Sequence, residues 1–385
     1  MSEVVGGSAA PKTPAPDPGR EAREASFAAR RERLQRVVRL VTPFVSIAIA
    51  VVVSSIFIAA TGGNPAAAFS ALFEGAFGSQ RAFGETLLRA TPLVFTGLAL
   101  TYGFRSGVFN IGAEGQLYLG GLAAAYFGLM FGGMSWFVAV PVVFLLAAFA
   151  GASWALIPAL MKVRIGANEV ITTMMFTYIG RYIVSWLVSG PLGDNSGIPQ
   201  SAQLPASSSL PRISAVLPFL HSGRAHVGIF LALGLAVIVW FVLKHTTLGY
   251  EARAVGYNPF ASQTGGISIA STTVKSLCIS GALAGVAGAV EVMAVYGRIF
   301  DNFSNNLGFT GIAVALLAKN NPLAVIAAAL LFGALDAGSG TMQLTAGVSP
   351  KVITIIQAVI IFAIAAETIV TWSFEKLAGS REAAR

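Results

Sequence analysis

Charged residues are scarce in this sequence of 385 residues. Asp, Glu, Lys and Arg together make up 11% of it, whereas hydrophobic residues make up 55% and the mean hydropathy is +0.74. Soluble domains usually carry about 25% charged residues, so this composition excludes an ordinary soluble domain. Several apolar runs reach the roughly 20 residues that cross the hydrocarbon core of a bilayer. Because these runs are continuous and do not alternate with polar residues, they predict membrane-spanning helices and not a β-barrel.

The sequence also lacks the residue patterns that many enzymes need. Its single cysteine, Cys278, excludes a disulfide framework and a cysteine-based metal site. Metalloprotease and serine hydrolase motifs are missing. No Gly-Lys dipeptide occurs, so the phosphate-binding loop G-x-x-x-x-G-K-[ST] is absent too. We therefore expect a chain that is not an enzyme, and any ATP that powers it must be hydrolysed by another chain.

The apolar runs predict an all-α, polytopic membrane protein with about 8–10 transmembrane helices, including short or broken half-helices. The runs lie near 37–60, 84–104, 108–131, 136–160, 169–190, 226–243, 271–296, 309–318, 322–337 and 352–372. At 1.5 Å per residue, the run 309–318 covers only about 15 Å, which is half of the hydrocarbon core. It and the short run after it are predicted to be half-helices or a tilted span.

Positive charge predicts the orientation. With the N-terminus inside, 18 of the 25 Lys and Arg residues fall on cytoplasmic segments, in agreement with the positive-inside rule. The expected localisation is the cell (plasma or inner) membrane, multi-pass, with both termini cytoplasmic. Residues 1–35 are predicted to form a disordered, basic cytoplasmic tail, 36–375 the transmembrane domain, and 376–385 a cytoplasmic C-terminal tail. Loop 191–225 is expected outside the cell and loop 244–270 inside it.

Polar side chains interrupt the apolar runs in the stretch GVFNIGAEGQ, residues 107–116. Asn110, Glu114 and Gln116 stand there among glycines. Charged groups inside a bilayer are costly and indicate function, and broken helices are a common way of building a transport site. A second glycine-broken stretch, 297–311, lies in the other half of the chain. The pair is compatible with a duplicated architecture around a central site, although no sequence repeat is visible.

A second polar cluster, GANEVITT, enters the helix predicted at 169–190. Two interpretations stay open for it. Asn168, Glu169 and Thr173 could belong to a transport site, or Asn168 could be a helix N-cap with Glu169 in the first turn. Glu291 and Asp336 are single acids near predicted helix ends and are expected to be interfacial. The small-residue segment SGALAGVAGAV, 280–290, predicts tight packing between helices.

Six ordered segments resemble the permease subunits of ABC importers of the ribose/branched-chain amino-acid type, in the branch for nucleosides and simple sugars. The segments are NPAAAFSALFEGAFGS, GVFNIGAEGQLYLG, GANEVITTMMFTYIG, RAVGYNPFASQTGGISI, SGALAGVAGAVEV and GFTGIAVALLAKNNPLAVIAAALLFGAL. The resemblance covers about 64–372. It implies a type II-like ABC importer permease, and a transmembrane subunit that imports nucleosides or related ribosyl or simple-sugar compounds.

The same resemblance implies partners and site residues. The partners are a cytoplasmic ABC ATPase that holds ATP and Mg²⁺, a second and paralogous permease subunit, an extracytoplasmic substrate-binding protein and a small polar substrate. No nucleic acid is implied, and this chain itself is expected to bind no cofactor or metal. The substrate path is assigned to Asn110, Glu114, Gln116, Asn168, Glu169, Thr173 and Thr177. An ATPase-coupling helix, bounded by Gly249 and by Asn258-Pro259, is assigned to Gly249, Arg253, Ala254, Gly256, Asn258 and Pro259.

Three alternatives remain at this point. The chain could be an ABC permease for a free monosaccharide, because the motifs specify the family better than the substrate. It could instead be an ion-coupled secondary transporter, in which Glu114 and Glu169 are the coupling acids and no ATPase is needed. A membrane scaffold without transport is disfavoured by the polar groups inside the membrane. The family usually has Asn at the position of Thr177, which bears on the substrate.

Overall fold

The computed structural model describes residue 45 and residues 47–194, 196–216 and 223–363. The predictions for the two tails, 1–35 and 376–385, and for the C-terminal part of the last helix lie outside this described part. Helices make up most of the described chain, and three isolated β-bridges are the extended pairings found within it.

The helices of the described residues are numbered here in chain order. They are α1 Ile47–Ala60, α2 Pro65–Phe77, α3 Gln80–Arg105, α4 Ala113–Met130, α5 Trp136–Ile165, α6 Glu169–Ser189, α7 Ile213–Val216, α8 Gly228–His245, α9 Thr247–Tyr257, α10 Pro259–Thr264, α11 Ile269–Val290 with a π-helical extension Glu291–Tyr296, α12 Leu307–Leu317, α13 Ala324–Ala346 and α14 Lys351–Ala363. By length and composition, five of them can cross a membrane, namely α3, α5, α8, α11 with its extension, and α13. The predicted all-α polytopic fold is confirmed.

The bundle has two ends, and α11 connects them. At the end where α11 finishes, the long loop 190–212 pairs with the segment after α11, since the N–H groups of Ser201 and Leu204 donate to the carbonyl oxygens of Ile299 and Gly297, both at 2.8 Å. We call this the long-loop end. At the other end, α9 and α10 come just before α11, and the Arg105 Nε donates to the Asn320 carbonyl oxygen at 2.8 Å. We call this the α9 end.

Two elements differ from the prediction. The apolar run 322–337 was expected to be a short piece, but α13 continues to Ala346 and is long enough to cross. The second half of α13 is more polar than the first, so hydropathy alone does not mark it as part of a span. Helix α2 does not appear among the predicted runs because it is too short to stand out by hydropathy. Its start carries a local signal, since the Asn64 side chain accepts from the N–H groups of Ala66 and Ala67, and Pro65 occupies the first helical position.

Glycines on α11 let three helices approach one another closely. Helix α11 packs between α4 and α5, as the segment SGALAGVAGAV predicts. A Cβ on Gly285 would overlap the carbonyl oxygen of Ala147 on α5, and a Cβ on Gly288 would overlap that of Leu117 on α4. Because both obstacles are backbone atoms, they cannot rotate away. The prediction of tight helix packing in 280–290 is confirmed.

Gly285→Ala is expected to destabilise the protein, because one added methyl group must push α5 away from α11. Overpacking of this kind costs about 1–3 kcal/mol. The measurement is the thermal unfolding midpoint in detergent. Gly234 on α8 is the matched control, because a Cβ there meets nothing within 4 Å. Gly234→Ala should leave the midpoint unchanged or raise it, since Ala favours a helix over Gly. Equal midpoints for the two variants would contradict the close packing of α11.

Candidate functional site

Helices α4 and α12 both begin in the middle of the bundle rather than at an end of it. Asn110, just before α4, donates from Nδ2 to the Ser280 hydroxyl at 2.8 Å, and Ser280 lies about 16 Å along α11 from its start at 1.5 Å per residue. Helix α12 starts at Leu307 and runs toward the α9 end, where Asn320 lies beside Arg105. The two glycine-broken stretches of the sequence therefore lead into α4 and α12, two helices that start midway between the ends of the bundle.

Glu114 joins the two helix starts. It lies in the first turn of α4 and is 3% exposed, and its Oε2 accepts a hydrogen bond from the N–H of Gly308 in the first turn of α12 at 2.6 Å. The first N–H groups of a helix have no partner inside it, and a carboxyl group near them is stabilising. A Cβ on Gly308 would lie 2.4 Å from both the backbone N and the Cα of Glu114, so a larger residue does not fit there without a backbone shift. Glu114 therefore fastens the start of α12 to the start of α4.

Asn110 and Gln116 form a closed pair beside Glu114. The Nδ2 of Asn110 donates to Oε1 of Gln116 at 2.7 Å, and the Nε2 of Gln116 donates back to Oδ1 of Asn110 at 2.9 Å. The Ser280 hydroxyl, which accepts from Asn110, donates to the carbonyl oxygen of Ala99 on α3 at 2.7 Å. This network links the entrance of α4 to α11 and α3, and the side chains of Asn110 and Gln116 are both buried.

The second polar cluster joins the first through α6. Gly112 and Gly115 of the α4 entrance lie so close to α6 that their Cβ atoms would come within 2.9 Å of the Thr173 Cβ and 2.6 Å of the Thr177 Cα. The hydroxyl groups of both threonines donate to carbonyl oxygens of the preceding turn. The structure therefore brings together Asn110, Glu114, Gln116, Thr173 and Thr177. Their assignment to a substrate path stays a prediction.

Asn168 and Glu169 have local roles at the start of α6. The Asn168 side chain accepts from the N–H groups of Val170 and Ile171 at 2.9 and 3.4 Å, which confirms the N-cap interpretation. Glu169 forms an ion pair with Lys162 in the last turn of α5. This contact ties α6 to α5 across their short connection. A part for these two residues in the substrate path stays a prediction.

The predicted coupling helix is α9, with one boundary corrected. It ends at Tyr257 before Asn258-Pro259, as predicted, and the Asn258 side chain then caps α10 by accepting from the N–H of Ala261 at 3.1 Å. Its start was wrong, because Gly249 lies inside α9 and Thr246 is the N-cap. Gly249 is required by packing instead, since a Cβ there would overlap the backbone of Val242 on α8.

Gly256, which was assigned to the ATPase-coupling helix, makes an internal contact. A Cβ on Gly256 would overlap the carbonyl group of Arg105, and a Cβ on Gly107 would lie 3.0 Å from the Gly256 Cα. Helix α9 thus rests on the connection between α3 and α4. Arg253 and Ala254 are partly exposed, and the Arg253 Nε donates to the Gly249 carbonyl oxygen at 3.3 Å.

Three aromatic residues missed by the sequence analysis project from the α9 end. Tyr250 and Tyr257 on α9 and Phe260 on α10 have exposed fractions of 61%, 82% and 82%. They form part of the same element as the predicted coupling residues, and their aromatic character was the available signal. Together with Arg253 and Ala254 they make an aromatic surface at this end.

A polar cavity of about 370 Å³ lies in the long-loop half of the bundle. Residues from α3, α11, α12, α13 and α14 surround it, and its charged or amide-bearing lining is Arg89, Arg224, Glu291, Asn305, Asn306, Asp336 and Gln357. The lining also includes Leu307, which is adjacent to Gly308 and hence to the Glu114 contact. None of the seven predicted substrate-path residues lines this cavity.

Three of the four charged residues that line the cavity lie within 4 Å of an opposite charge. Arg89 and Asp336 form an ion pair at 3.0 Å, and Arg224 lies 3.6 Å from Glu85. Glu291 is 5% exposed and lines the cavity, and its expected interfacial position stays a prediction. The sequence did carry a signal for this site, because Arg89 and Asp336 are oppositely charged residues within two apolar runs, 84–104 and 322–337.

Asparagines shape the floor of the cavity. Asn302, Asn305 and Asn306 adopt positive φ angles of 57°, 48° and 66°, a region that Asn enters more readily than most residues. They form the turn that carries the chain from the end of α11 into the start of α12. The sequence DNFSNN signals such a turn, although it lies between the apolar runs that predict the helices.

Metal binding has no support in the described residues, which hold no group of three His, Cys, Asp or Glu side chains suited to an ion. His226, in the loop before α8, is buried, and burial lowers its pKa to about 4, so the ring is neutral at pH 7. Its Nδ1 accepts from the N–H of Gly228 at 3.2 Å. His221, five residues before it in the sequence, lies outside the described residues.

Comparison with known sequences decides the family. Residues 82–365 match the family described as the branched-chain amino acid transport system / permease component. The chain belongs to this permease family. The resemblance of the six segments is thereby confirmed, and the chain is a multi-pass transport permease.

Several curated relatives cover most of this permease. The guanosine ABC transporter permease protein NupP of Bacillus subtilis is 36% identical over 89% of this chain and 98% of its own length. The glucose permease TsgB13 of Haloferax volcanii is 33% identical over 85% and 87%, and the nucleoside permease NupB of Lactococcus lactis is 32% identical over 86% and 92%. A second permease from B. subtilis and one from L. lactis are also similar, at 30% and 28% identity. No solved structure matches the chain.

Glu114→Ala is expected to destabilise the permease, because it leaves the buried N–H of Gly308 without an acceptor. The loss of a buried partner costs about 1–3 kcal/mol. Glu114→Gln keeps a carbonyl oxygen at the same place and should cost less. The measurement is the thermal unfolding midpoint in detergent, with the exposed Glu74→Ala as control. If Glu114→Ala unfolds at the temperature of the wild type, the carboxyl group does not hold α12 in place.

Proposed function

We propose that this chain is the transmembrane permease subunit of an ATP-driven importer of nucleosides or related ribosyl or simple-sugar compounds. The polar cavity carries the proposal. Its lining is balanced in charge, with Arg89 and Arg224 against Glu291 and Asp336. Such a lining suits a solute without net charge that is rich in hydroxyl and amide groups better than a phosphate, whose negative charge would need an excess of basic residues.

The size of the cavity supports a small solute. Sites for small molecules usually measure about 300–1,000 Å³, and this cavity of about 370 Å³ lies at the lower end of that range. Hydroxyl and amide groups from Asn305, Asn306, Thr310 and Gln357 offer both donors and acceptors. Two of the relatives are named for guanosine and nucleosides. Nucleosides combine such polar groups with an uncharged ring system.

A monosaccharide importer is the second candidate, because one relative is named for glucose. The cavity chemistry is compatible with both, since each solute is neutral and carries several hydroxyl groups. An ion-coupled transporter has less support. Its proposed coupling acids are both engaged, Glu114 with the Gly308 N–H and Glu169 with Lys162. A carboxyl group that holds two elements together is poorly placed to exchange protons or ions during each cycle.

The partners follow from the same proposal. With no phosphate-binding loop in its sequence, the chain depends on a separate ATPase that carries ATP and Mg²⁺, so we assign no cofactor to the permease itself. Two similar permeases in each of two organisms favour a second, paralogous permease subunit. A substrate-binding protein is placed outside the cell. In the proposed orientation, the α9 end and both termini lie in the cytoplasm, where the positive-inside rule places most Lys and Arg residues.

Uptake measurements test the function directly. Proteoliposomes that contain this permease, its partner permease and the ATPase, with the binding protein outside, should accumulate radiolabelled guanosine only when ATP is inside. A protonophore should not abolish the uptake, because no ion gradient drives it. The control is the same vesicle with an inactive ATPase. Uptake by this permease alone under an ion gradient would contradict the proposal and favour a secondary transporter, whereas ATP-dependent uptake of glucose but not guanosine would favour the second candidate.

Phe260→Ala is expected to weaken the association with the ATPase, because an exposed aromatic residue at the centre of an interface often contributes more than about 1 kcal/mol. We expect roughly tenfold weaker binding of the purified ATPase to membrane vesicles. Phe137→Ala is the matched control, because Phe137 is 81% exposed but begins α5 at the long-loop end. The same assay tests orientation, since the ATPase should bind inside-out vesicles only. Equal binding by both variants would exclude the aromatic surface as the ATPase contact.

A further inference from the structure

Glu291 differs from the other charged residues of the cavity. Asp336 is engaged by Arg89 at 3.0 Å, and Arg224 lies 3.6 Å from Glu85. The Glu291 carboxyl group is 5% exposed, and no residue of the described ranges forms a hydrogen bond or an ion pair with it. Arg89, Arg224 and Asp336 are the charged groups that act on it from a longer distance. A buried carboxyl group without donors is costly, so its donors are expected to come from whatever enters the cavity.

The backbone provides a second and independent observation. Glu291 is the first residue of the π-helical extension of α11, which ends at Tyr296. A π-helical turn disturbs the regular hydrogen bonding of a helix and is found frequently at functional sites. Glu291 and Tyr296, the two ends of this extension, both line the cavity. The irregular turn therefore presents a carboxyl group and an aromatic ring to the same space.

The chemistry of Glu291 limits what it can bind. The two oxygens of a carboxylate accept hydrogen bonds and can take two neighbouring donors at once. Adjacent hydroxyl groups on a sugar ring form such a pair, and so do the neighbouring N–H groups of a guanine base. The relatives are named for guanosine, nucleosides and glucose. Guanosine, other ribonucleosides and glucose all carry neighbouring ring hydroxyls, whereas glucose has no base.

We propose that Glu291 binds two adjacent hydroxyl groups of the sugar ring of the substrate inside the cavity. This assignment rests on the proposed function. It makes Glu291 a specificity-determining residue for the sugar rather than for the base. The Arg89–Asp336 pair then lies beside the bound sugar, and Tyr296 provides an apolar surface for the ring.

Direct binding to the transporter without its binding protein tests the proposal, because the selectivity of the binding protein would otherwise hide that of the cavity. Titrations followed by ligand-observed NMR would give dissociation constants for guanosine, 2′-deoxyguanosine and inosine. The wild type should bind guanosine about tenfold more tightly than 2′-deoxyguanosine, which lacks one hydroxyl group of the pair. Inosine, which keeps both hydroxyls but lacks the amino group of guanine, should bind as guanosine does.

Glu291→Gln keeps the shape of the side chain but leaves one accepting oxygen. The preference for guanosine over 2′-deoxyguanosine should then fall to within about twofold. Glu74→Gln is the matched control, because it removes a carboxylate from an exposed position outside the cavity and should keep the tenfold preference. Thermal unfolding of Glu291→Gln at or above the wild-type temperature shows that the variant is folded.

Several results would overturn the proposal. An unchanged preference in Glu291→Gln would remove Glu291 from the sugar site, and a wild type that distinguishes guanosine from inosine through Glu291 would assign it to the base. Absence of nucleoside binding to the wild-type transporter would also overturn it. The uptake assay separates this outcome from failure of the proposed function: ATP-dependent guanosine uptake without cavity binding rejects only the role of Glu291, and absence of uptake rejects both.

Discussion

A helix that begins inside an apolar layer exposes N–H groups that neither water nor the helix itself can satisfy, and this permease has two such helices. Glu114 connects the two helix starts, because it lies in the first turn of α4 and its side chain accepts from the N–H of Gly308 in the first turn of α12. The rest of the site depends on this contact. Asn110 and Gln116 position the entrance of α4, and Asn305 and Asn306, before α12, form the cavity floor.

Close packing by small residues makes this arrangement possible. Helix α11 approaches α4 and α5 at Gly285 and Gly288 until the backbones touch, so that Ser280 can hold Asn110 in place. Without a hydrophobic driving force between helices in lipid, such contacts and buried hydrogen bonds supply much of the specificity. The polar groups of the centre are thus held in place by close backbone packing of α11 against α4 and α5.

Much of the fold could be predicted because hydropathy marks long spans directly. The crossings α3, α5, α8 and α11 follow from their apolar runs, and the cap at Asn168 follows from a local pattern. The meeting of two broken helices and the cavity could not be placed, because their residues come together only through tertiary packing. Arg89 and Asp336 are 247 residues apart in sequence. The role of Gly249 could not be predicted, because glycine can end a helix or allow close packing, and only the contact with α8 decides between the two.

The bond between Glu114 and Gly308 joins residues 194 positions apart, and this separation affects how the protein is made. At about 5–20 residues per second, the ribosome needs roughly 10–40 s to synthesise the chain between them. During that interval α4 is already formed while the partner of its carboxyl group does not yet exist. The early helices must therefore remain unfinished in the membrane, with a polar centre that is open to water or to the insertion machinery. The last quarter of the chain closes that centre, so truncated products are expected to be substrates for proteolysis.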